Sequence, residues 1–151
     1  MYNIHKINQH IFQHKAKKMS RKDNLYKIAY ECRMHAYAPY SDFKVGAAIL
    51  SENNKIFCGC NVENVSYPCG ICAEAGAISA LIAGGEHKIK EILIVADTDC
   101  ILPCGNCLQK IAEFADEETL IHSANLQGIV KTSTFVQLFP CHFKKGDIKN
   151  A

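Results

Sequence analysis

The chain has 151 residues, a length that provides one hydrophobic core and leaves no room for a second domain. Hydrophobic residues make up 48% and charged residues 21%, which excludes a disordered or fibrous chain, and no apolar run approaches the roughly 20 residues that cross a bilayer. The formal net charge of +2 is uneven, because residues 1 to 22 carry six Lys or Arg and no acid, which leaves the other 129 residues at −4. We therefore expect a soluble domain with an acidic body.

Residues 1 to 22 are predicted to form a basic, flexible N-terminal extension, and residues 23 to 151 a single domain. A basic, His-rich segment could contact nucleic acid, a membrane surface or an import receptor, but a solvated extension is the simpler interpretation. The acidic body disfavours binding to phosphate groups, so we predict neither a nucleic-acid nor a membrane partner.

Nine cysteines in a chain of this size raise the question of disulfides. The count is odd, residues 1 to 22 lack the apolar run of a secretory signal, and a Cys-x-x-Cys pair follows a strand-like run. These features favour a reducing compartment, and we expect a cytoplasmic protein with free thiols.

Helical and strand-like segments alternate along the chain. Apolar spacings of three and four predict a helix at residues 23 to 35 with Asp23 as its N-cap, and Pro39 ends it. Strand-like runs at 44 to 50 and 55 to 61 flank a turn and predict a hairpin. The later predicted elements are a helix at 73 to 83, a strand at 92 to 96, a helix at 105 to 115, short strands near 120 and 129, and a last helix at 134 to 138. Strands interleaved with helices predict an α/β domain with helices on a mixed sheet.

Three cysteines and one glutamate carry the strongest chemical signal. Cys72 precedes one predicted helix, Pro103-Cys104-Gly105-Asn106-Cys107 opens the next, and Glu74 lies two residues after Cys72. Catalytic zinc sites usually have three protein ligands and an open fourth position. Zinc-dependent nucleobase deaminases place His or Cys before a Glu, followed further on by Pro-Cys-x-x-Cys. We therefore predict one Zn²⁺ per chain, held by Cys72, Cys104 and Cys107, with Glu74 as the catalytic acid and base.

Two further segments extend this pattern, and with it the chain resembles the small, homotetrameric cytidine deaminases from about residue 23 to about residue 147. They are Ala-Tyr-Ala-Pro-Tyr-Ser-Asp-Phe-Lys-Val-Gly-Ala-Ala at residues 36 to 48 and Gly-Cys-Asn-Val-Glu-Asn-Val-Ser-Tyr at residues 59 to 67. The resemblance implies a three-layer α/β/α cytidine deaminase-like fold with a mixed five-stranded sheet. It also implies a homotetramer whose active sites are shared between subunits, acting in pyrimidine salvage.

The reaction that the resemblance implies is hydrolytic deamination of cytidine and deoxycytidine to uridine and deoxyuridine, with release of ammonia. Glu74 would take a proton from zinc-bound water, the hydroxide would attack C4, and Glu74 would pass protons to N3 and the leaving group. The implied substrate contacts are Phe43 on the pyrimidine, Asn61 and Glu63 on the ribose hydroxyls, the backbone of Ala73 on the base, and Tyr67 and Phe143 in a neighbouring subunit's site. Each of these side chains also has a purely structural interpretation, in the core, at a hairpin edge or in an interface.

The chain departs from its relatives next to the motif. They usually have Arg and then Thr after Cys-Ala-Glu, where this chain has Ala75 and Gly76, and a second Arg where it has Leu108. Three thiolates give a zinc site a formal charge of −1, which opposes ionisation of a bound water. Without those Arg residues, helix dipoles, backbone N–H groups or a partner subunit must offset the charge, and otherwise the enzyme is expected to be slow.

Two alternatives remain open from the sequence. One is a deaminase of another aminopyrimidine nucleoside. The other is a catalytically weak, zinc-stabilised binding protein in which Cys69, three residues before Cys72, closes the fourth position. His122 and His142 lie far from the motif, and we predict satisfied surface or core residues there instead of ligands.

Overall fold

The computed structural model describes residues 20 to 148. A mixed five-stranded sheet lies at the centre of the fold, with strand order β2-β1-β3-β4-β5. The strands are β1 (Val45–Ser51), β2 (Ile56–Cys60), β3 (Ile89–Ala96), β4 (Ala115–Asn125) and β5 (Gly128–Thr134). β3 and β4 are parallel, and the other neighbouring strands are antiparallel. The helices are α1 (Arg21–Arg33), α2 (Ala73–Ala83), α3 (Gly105–Ala112) and the short α4 (Phe135–Leu138).

Helices cover both faces of the sheet. On one face, Leu25 and Ala29 of α1 pack on Ala48 and Leu50 of β1. On the other face, side chains of α2, α3 and α4 pack on β1, β3 and β4, around residues such as Leu81. The predicted three-layer α/β/α arrangement with a mixed five-stranded sheet is therefore confirmed. Among residues 20 to 148, no helix combines the length and the apolar character needed to cross a membrane.

Helix α1 begins earlier than the sequence predicts. Ser20 is its N-cap: the Asp23 N–H donates to Ser20 Oγ at 3.1 Å, and the Ser20 N–H donates to the Asp23 carboxylate at 3.2 Å. This reciprocal pair is a capping box, in which Asp23 is the third helical residue. The prediction of Asp23 as N-cap was wrong, and the predicted domain boundary after residue 22 falls within the first turn of α1. Residues 1 to 19 of the predicted extension lie outside the described residues.

Helix α3 ends three residues before its predicted end. It stops at Ala112, and the Phe114 carbonyl then accepts a hydrogen bond from the Ile89 N–H at 2.8 Å. Ala115 pairs with Ile89 and starts β4, which is much longer than the predicted short strand. Its first half is exposed and carries three consecutive acids, so it lacks the apolar alternation by which a strand is recognised.

Two glycines let both helical layers approach the β1–β2 hairpin closely. A Cβ atom on Gly46 would lie 2.7 Å from the Arg33 N of α1, and a Cβ atom on Gly59 would lie 2.6 Å from the Gly76 C of α2. Real Cβ atoms essentially never show such distances. The hairpin is therefore held between the end of α1 and the beginning of α2, which fixes the position of α2 relative to the sheet.

A buried polar network joins the start of α1 to the sheet. Glu91 on β3 is only 2% exposed, and its carboxylate lies 2.7 Å from Arg21 Nη2 and 3.0 Å from His122 Nε2 on β4. His122 Nδ1 lies 2.8 Å from Thr132 Oγ1 on β5. Burial lowers the pKa of His122, so the neutral imidazole donates from Nε2 to Glu91 and accepts at Nδ1 from the Thr132 hydroxyl. His122 is thus a satisfied core histidine, as predicted.

Acid should weaken the fold through His122. Its pKa in the folded state lies below the value of about 6.5 expected for the unfolded chain, so the unfolded chain takes up the proton first. The contribution of neutral His122 to the free energy of unfolding is fully present above about pH 6.5. It decreases as the pH falls below that value, by at most about 1.4 kcal/mol per pH unit. Urea unfolding of wild type and His122→Gln, compared on both sides of this pH, measures it.

The free-energy difference between wild type and His122→Gln should shrink as the pH falls, because Gln does not titrate. His87→Gln, at an exposed position, is the matched control and should follow wild type at every pH. A difference between wild type and His122→Gln that stays constant with pH would show that the buried imidazole does not resist protonation.

Candidate active site

The beginnings of two helices bring three thiols together. Cys72 is the N-cap of α2, Cys104 is the N-cap of α3, and both caps have extended backbone. Cys107 lies in the first turn of α3 and is buried. The three Sγ atoms lie within 4.8 Å of one another, and they form the only such group of three or more metal-ligating side chains in the described part of the chain.

This thiol cluster fits one soft metal ion. In a tetrahedral site with Zn–S distances of about 2.3 Å, the sulfurs lie about 3.8 Å apart, and the three Sγ atoms here all lie within 4.8 Å of one another, close to that spacing. Thiolates favour zinc and other soft ions, whereas magnesium and calcium prefer oxygen ligands. The donor set and its compactness therefore suit a zinc ion with a fourth position left over.

The electrostatics of the thiol cluster also favour binding of a cation. Burial raises the pKa of Cys72 and of Cys107. Burial acts in the same direction on Cys104, but the Cys107 backbone N–H and the neighbouring thiols outweigh it and lower the pKa of Cys104. Three thiolates at this spacing would repel one another strongly. A bound dication removes the conflict, because a coordinating thiol is deprotonated outright.

Glu74 lies beside the thiol cluster in the first turn of α2. It is only 5% exposed, and burial raises its pKa, while the Cys107 thiol and the positive charge of Lys110 act in the opposite direction. A cavity of about 310 Å³ is lined by Glu74 together with Cys72 and Cys104. The Glu74 carboxyl group is thus in position to exchange protons with a ligand bound in that cavity.

The cavity opens into a larger cleft. Phe43, Asn61, Glu63 and Ala73 line the same 310 Å³ cavity, so four of the six predicted substrate contacts lie together. A neighbouring cavity of about 470 Å³ shares Asn61 and Glu63 with it and adds Tyr67. The combined space is in the usual size range of small-molecule sites.

Asn61 fixes the backbone beside Phe43. Its Nδ2 donates to the Phe43 carbonyl oxygen at 2.8 Å, and the Val45 N–H donates to its Oδ1 at 2.8 Å. Arg33, at the end of α1, donates from Nε to the Lys44 carbonyl oxygen at 2.9 Å. Three consecutive residues of this segment are therefore held by two side chains, which leaves the Phe43 ring at the cavity wall.

Arg33 was not predicted from the sequence. It lies on a different element from the segment that it holds, and a single Arg near a helix end is typical of a solvated C-terminal turn. Only the close approach of α1 at Gly46 brings its guanidinium to the Lys44 carbonyl.

Glu63 is ionised and hydrogen-bonded to the turn at Tyr40 and Ser41. Its carboxylate accepts hydrogen bonds from the Ser41 hydroxyl, from the Tyr40 N–H at 2.8 Å and from the Ser41 N–H at 3.3 Å. These donors lower the pKa of Glu63. The carboxylate therefore carries a negative charge at neutral pH at the cleft wall.

Tyr67 and Phe143 are the most peripheral of the predicted contacts. Tyr67 is 77% exposed and packs edge-on against Tyr40, with ring centroids 6.1 Å apart. Phe143 is 61% exposed and lines neither cavity of its own chain, although its carbonyl oxygen accepts from Gln109 Nε2 of α3 at 2.8 Å. The structure thus brings Tyr67 to the outer cleft and leaves Phe143 outside it.

Cys69, the alternative fourth ligand, does not join the thiol cluster. It is exposed, and its Sγ lies 3.6 Å from Ser66 Oγ. The cluster consists of Cys72, Cys104 and Cys107 alone within the range from residue 20 to 148. A closed site with four sulfurs therefore finds no support in this fold.

Comparisons with known proteins agree with this geometry. A family model for the cytidine and deoxycytidylate deaminase zinc-binding region matches residues 19 to 123. The cytidine deaminase of Sporosarcina psychrophila is 40% identical over 122 residues, which cover 80% of this chain and 90% of that protein. The crystal structure of cytidine deaminase from Burkholderia pseudomallei matches with a TM-score of 0.76 at 39% identity, covering 80% of this chain and 97% of that one.

A further solved structure, cytidine deaminase from Mycobacterium tuberculosis, matches with a TM-score of 0.69 at 32% identity, covering 80% of this chain and 95% of that one. The chain belongs to the zinc-dependent cytidine and deoxycytidylate deaminase family. Zinc is accordingly its cofactor, and the thiol cluster is the place in the described fold that suits it.

Zinc content should depend on the thiol cluster and not on Cys69. Purified wild type should hold one zinc ion per chain, and Cys104→Ala should bind zinc more weakly by more than about 100-fold, because loss of a ligand exceeds the effect of losing a hydrogen-bond partner to a ligand. Cys69→Ala, also at an exposed position, should keep its zinc. Metal analysis after dialysis against a weak chelator measures the zinc content of wild type and both variants. Loss of zinc from Cys69→Ala would instead support a site with four sulfur ligands that include Cys69.

Proposed function

We propose that this protein catalyses hydrolytic deamination of cytidine and deoxycytidine to uridine and deoxyuridine, as a cytoplasmic enzyme of pyrimidine salvage. The observation that carries the proposal is a cluster of three thiols beside a cavity of about 310 Å³, whose wall contains two of these thiols and the buried carboxyl group of Glu74. The names of the matched relatives support the same reaction.

The proposed zinc ligands are Cys72, Cys104 and Cys107. Zinc bound there supplies a Lewis acid that makes water nucleophilic at neutral pH. Glu74 accepts one proton of the attacking water on its carboxylate and passes it to N3 of the pyrimidine. It then accepts the proton of the hydroxyl group added at C4 and passes it to the departing amine. Because Glu74 is buried, its carboxyl group is shielded from bulk water and returns the proton to the substrate.

The cleft wall is proposed to bind the nucleoside. The Phe43 ring packs on the pyrimidine, and the backbone of Ala73 contacts the base edge. Asn61 uses one of its two Nδ2 hydrogens on Phe43, and Glu63 uses three of about four acceptor positions, so one donor and one acceptor remain for the ribose hydroxyls. The negative charge of Glu63 also disfavours a phosphate at this position, which supports a free nucleoside as substrate.

The charge of the three thiolates has partial compensation within the chain. The N-termini of α2 and α3 both point their partial positive charge at the cluster. Lys110 on α3 is the cation whose field reaches Glu74. Neither replaces an Arg donating directly to a sulfur, so we expect Ala75 to leave the enzyme slower than relatives that have Arg there.

A homotetramer with shared active sites is part of the proposal. Tyr67 and Phe143 are large exposed aromatic side chains, and an interface would bury them. In this assembly the Phe143 ring would complete the cleft of a neighbouring subunit, which agrees with its position outside the cleft of its own chain.

Glu74→Gln should slow deamination by about 10²–10⁴-fold without loss of zinc. General acid and base assistance contributes about 10²–10⁴-fold, and Gln keeps the shape but cannot move a proton. Cytidine and deoxycytidine turnover, followed by ultraviolet absorbance on zinc-loaded protein, measures the loss. Glu117→Gln, an exposed carboxyl on β4, is the matched control and should retain wild-type activity.

Zinc content and molecular mass are determined on the same preparations. An inactive tetrameric wild type with full zinc would contradict the proposed substrates and favour another aminopyrimidine nucleoside. Turnover by Glu74→Gln at the wild-type rate would exclude Glu74 as the proton carrier.

Arg33→Met should weaken nucleoside binding more than it slows turnover. The change removes the donor to the Lys44 carbonyl but keeps an apolar stem, so the segment with Phe43 loses one hydrogen bond of about 1 kcal/mol, or about fivefold in KM. Steady-state kinetics separate KM from kcat. Lys27→Met, on the exposed side of the same helix, should change neither value.

A fall of about fivefold in kcat with unchanged KM for Arg33→Met would contradict this positioning role. A KM for Arg33→Lys close to that of wild type would support it.

A further inference from the structure

A second group of cysteines lies on the side of the β1–β2 hairpin that faces α1. In the antiparallel pairing, Cys58 lies opposite Ala48, and Cys60 lies opposite Gly46. Ala48 packs against α1, and a Cβ on Gly46 would point into the backbone of α1. Directly paired residues point their side chains to the same face, so both thiols face α1. This face is opposite to the one on which Gly59 meets α2.

Cys32 in the last full turn of α1 completes the group. It follows Leu25 by seven residues and Ala29 by three, and these are the buried residues of the helix, so Cys32 lies on the same sheet-facing stripe. Its thiol interacts with those of Cys58 and Cys60. Burial, followed by these two neighbours, raises the pKa of Cys32 to about 12.

The three thiols differ in exposure to solvent, so the most exposed one is expected to react first with a small disulfide. Cys58 is exposed, whereas Cys32 and Cys60 are half-buried. They do not meet the 4.8 Å convergence that Cys72, Cys104 and Cys107 show in the described range, so a three-sulfur metal site is not formed here. Two neighbouring thiols, one open and one shielded, are instead arranged for disulfide exchange.

We infer that Cys58 and Cys32 form a redox-active dithiol site whose substrate is a low-molecular-weight disulfide such as oxidised glutathione. The Cys58 thiolate attacks one sulfur of the disulfide, the S–S bond breaks, and one thiolate leaves. The Cys32 thiolate then attacks Cys58 Sγ, the mixed disulfide breaks, and the second thiolate leaves. The two protons of Cys32 and Cys58 end on the released thiols, and two electrons pass from the protein to the small disulfide.

Cys60 is not the partner in this reaction. Residues two apart on an extended strand have Cα atoms about 6.6 Å apart and parallel side chains, which is at the limit of disulfide geometry. Cys32 approaches from the neighbouring layer, and its thiol interacts with the Cys58 thiol across the α1–β2 contact. The bridge therefore joins the end of α1 to the edge strand β2.

The pH dependence of the second step follows from the shielded thiol. Only the thiolate attacks, and burial, the largest cause of the raised pKa of Cys32, persists when Cys58 is part of the mixed disulfide, so Cys32 stays protonated near neutrality. The rate of bridge formation should therefore rise about tenfold per pH unit between about pH 7 and pH 9, because the thiolate fraction grows by that factor.

The test uses the full zinc-loaded protein incubated with oxidised glutathione, followed by mass spectrometry of the intact chain and of its peptides without reduction. The expected product is a chain that has lost two hydrogen atoms and yields a linked peptide pair containing Cys32 and Cys58. Cys32→Ser should stop at a glutathione adduct on Cys58, and Cys58→Ser should form neither product at this site. Cys141→Ser, an exposed cysteine elsewhere, should behave as wild type.

Peptide mapping of wild type alone also decides the matter, so the inference does not depend on the folding of the variants. A glutathione adduct that persists on wild-type Cys58 without a bridge at any pH up to about 9 would overturn it. So would a bridge from Cys58 to Cys60, or a Cys58 that does not react in the native assembly. Zinc content measured before and after oxidation should not change, because the thiol cluster at Cys72 lies beyond the opposite face of the hairpin.

Discussion

The contact between Gly59 on β2 and the first turns of α2 is the constraint on which the site depends. A side chain at Gly59 would overlap the backbone of α2, so the helix lies directly on the strand. That contact fixes the beginning of α2 and, with it, the cap residue Cys72 and the buried Glu74. Since β2 continues directly into Asn61, the same strand sets the distance between the thiol cluster and the residues of the cleft wall. The geometry of the site is thus a property of backbone packing more than of individual side-chain contacts.

The site combines groups that disfavour one another in the absence of a cation. Three thiols and a carboxyl group share a partly buried space, and burial raises the pKa of Glu74, Cys72 and Cys107. Helix N-termini reduce this conflict but do not remove it, because each contributes only a fraction of a charge. A zinc ion bound among these groups would stabilise the arrangement.

Elements whose sequence pattern is local were predicted well. The bounds of α2, Ala73–Ala83, match the prediction because an Ala-rich apolar segment ends at two glycines. The spacing of three cysteines also predicted a group of thiols that the structure brings within 4.8 Å of one another. The start of α1 and the length of β4 were missed, because a capping box can shift a helix start by three residues and an acidic, exposed strand has no apolar alternation. Arg33 was missed for a different reason: its partner is a backbone carbonyl, and no residue type marks a carbonyl that lacks a donor.

The alternation of side chains along β2 separates two groups of thiols. Gly59 points to α2 and the catalytic side, and its two neighbours, Cys58 and Cys60, point to α1. Because successive residues of a strand face opposite layers, thiols on one face do not compete for the zinc on the other. A disulfide from Cys32 to Cys58 would tie α1 to the strand that positions α2, next to the turn from which Arg33 holds Lys44. The redox state of the α1 face and the geometry of the cleft would then be linked through the backbone of a single edge strand.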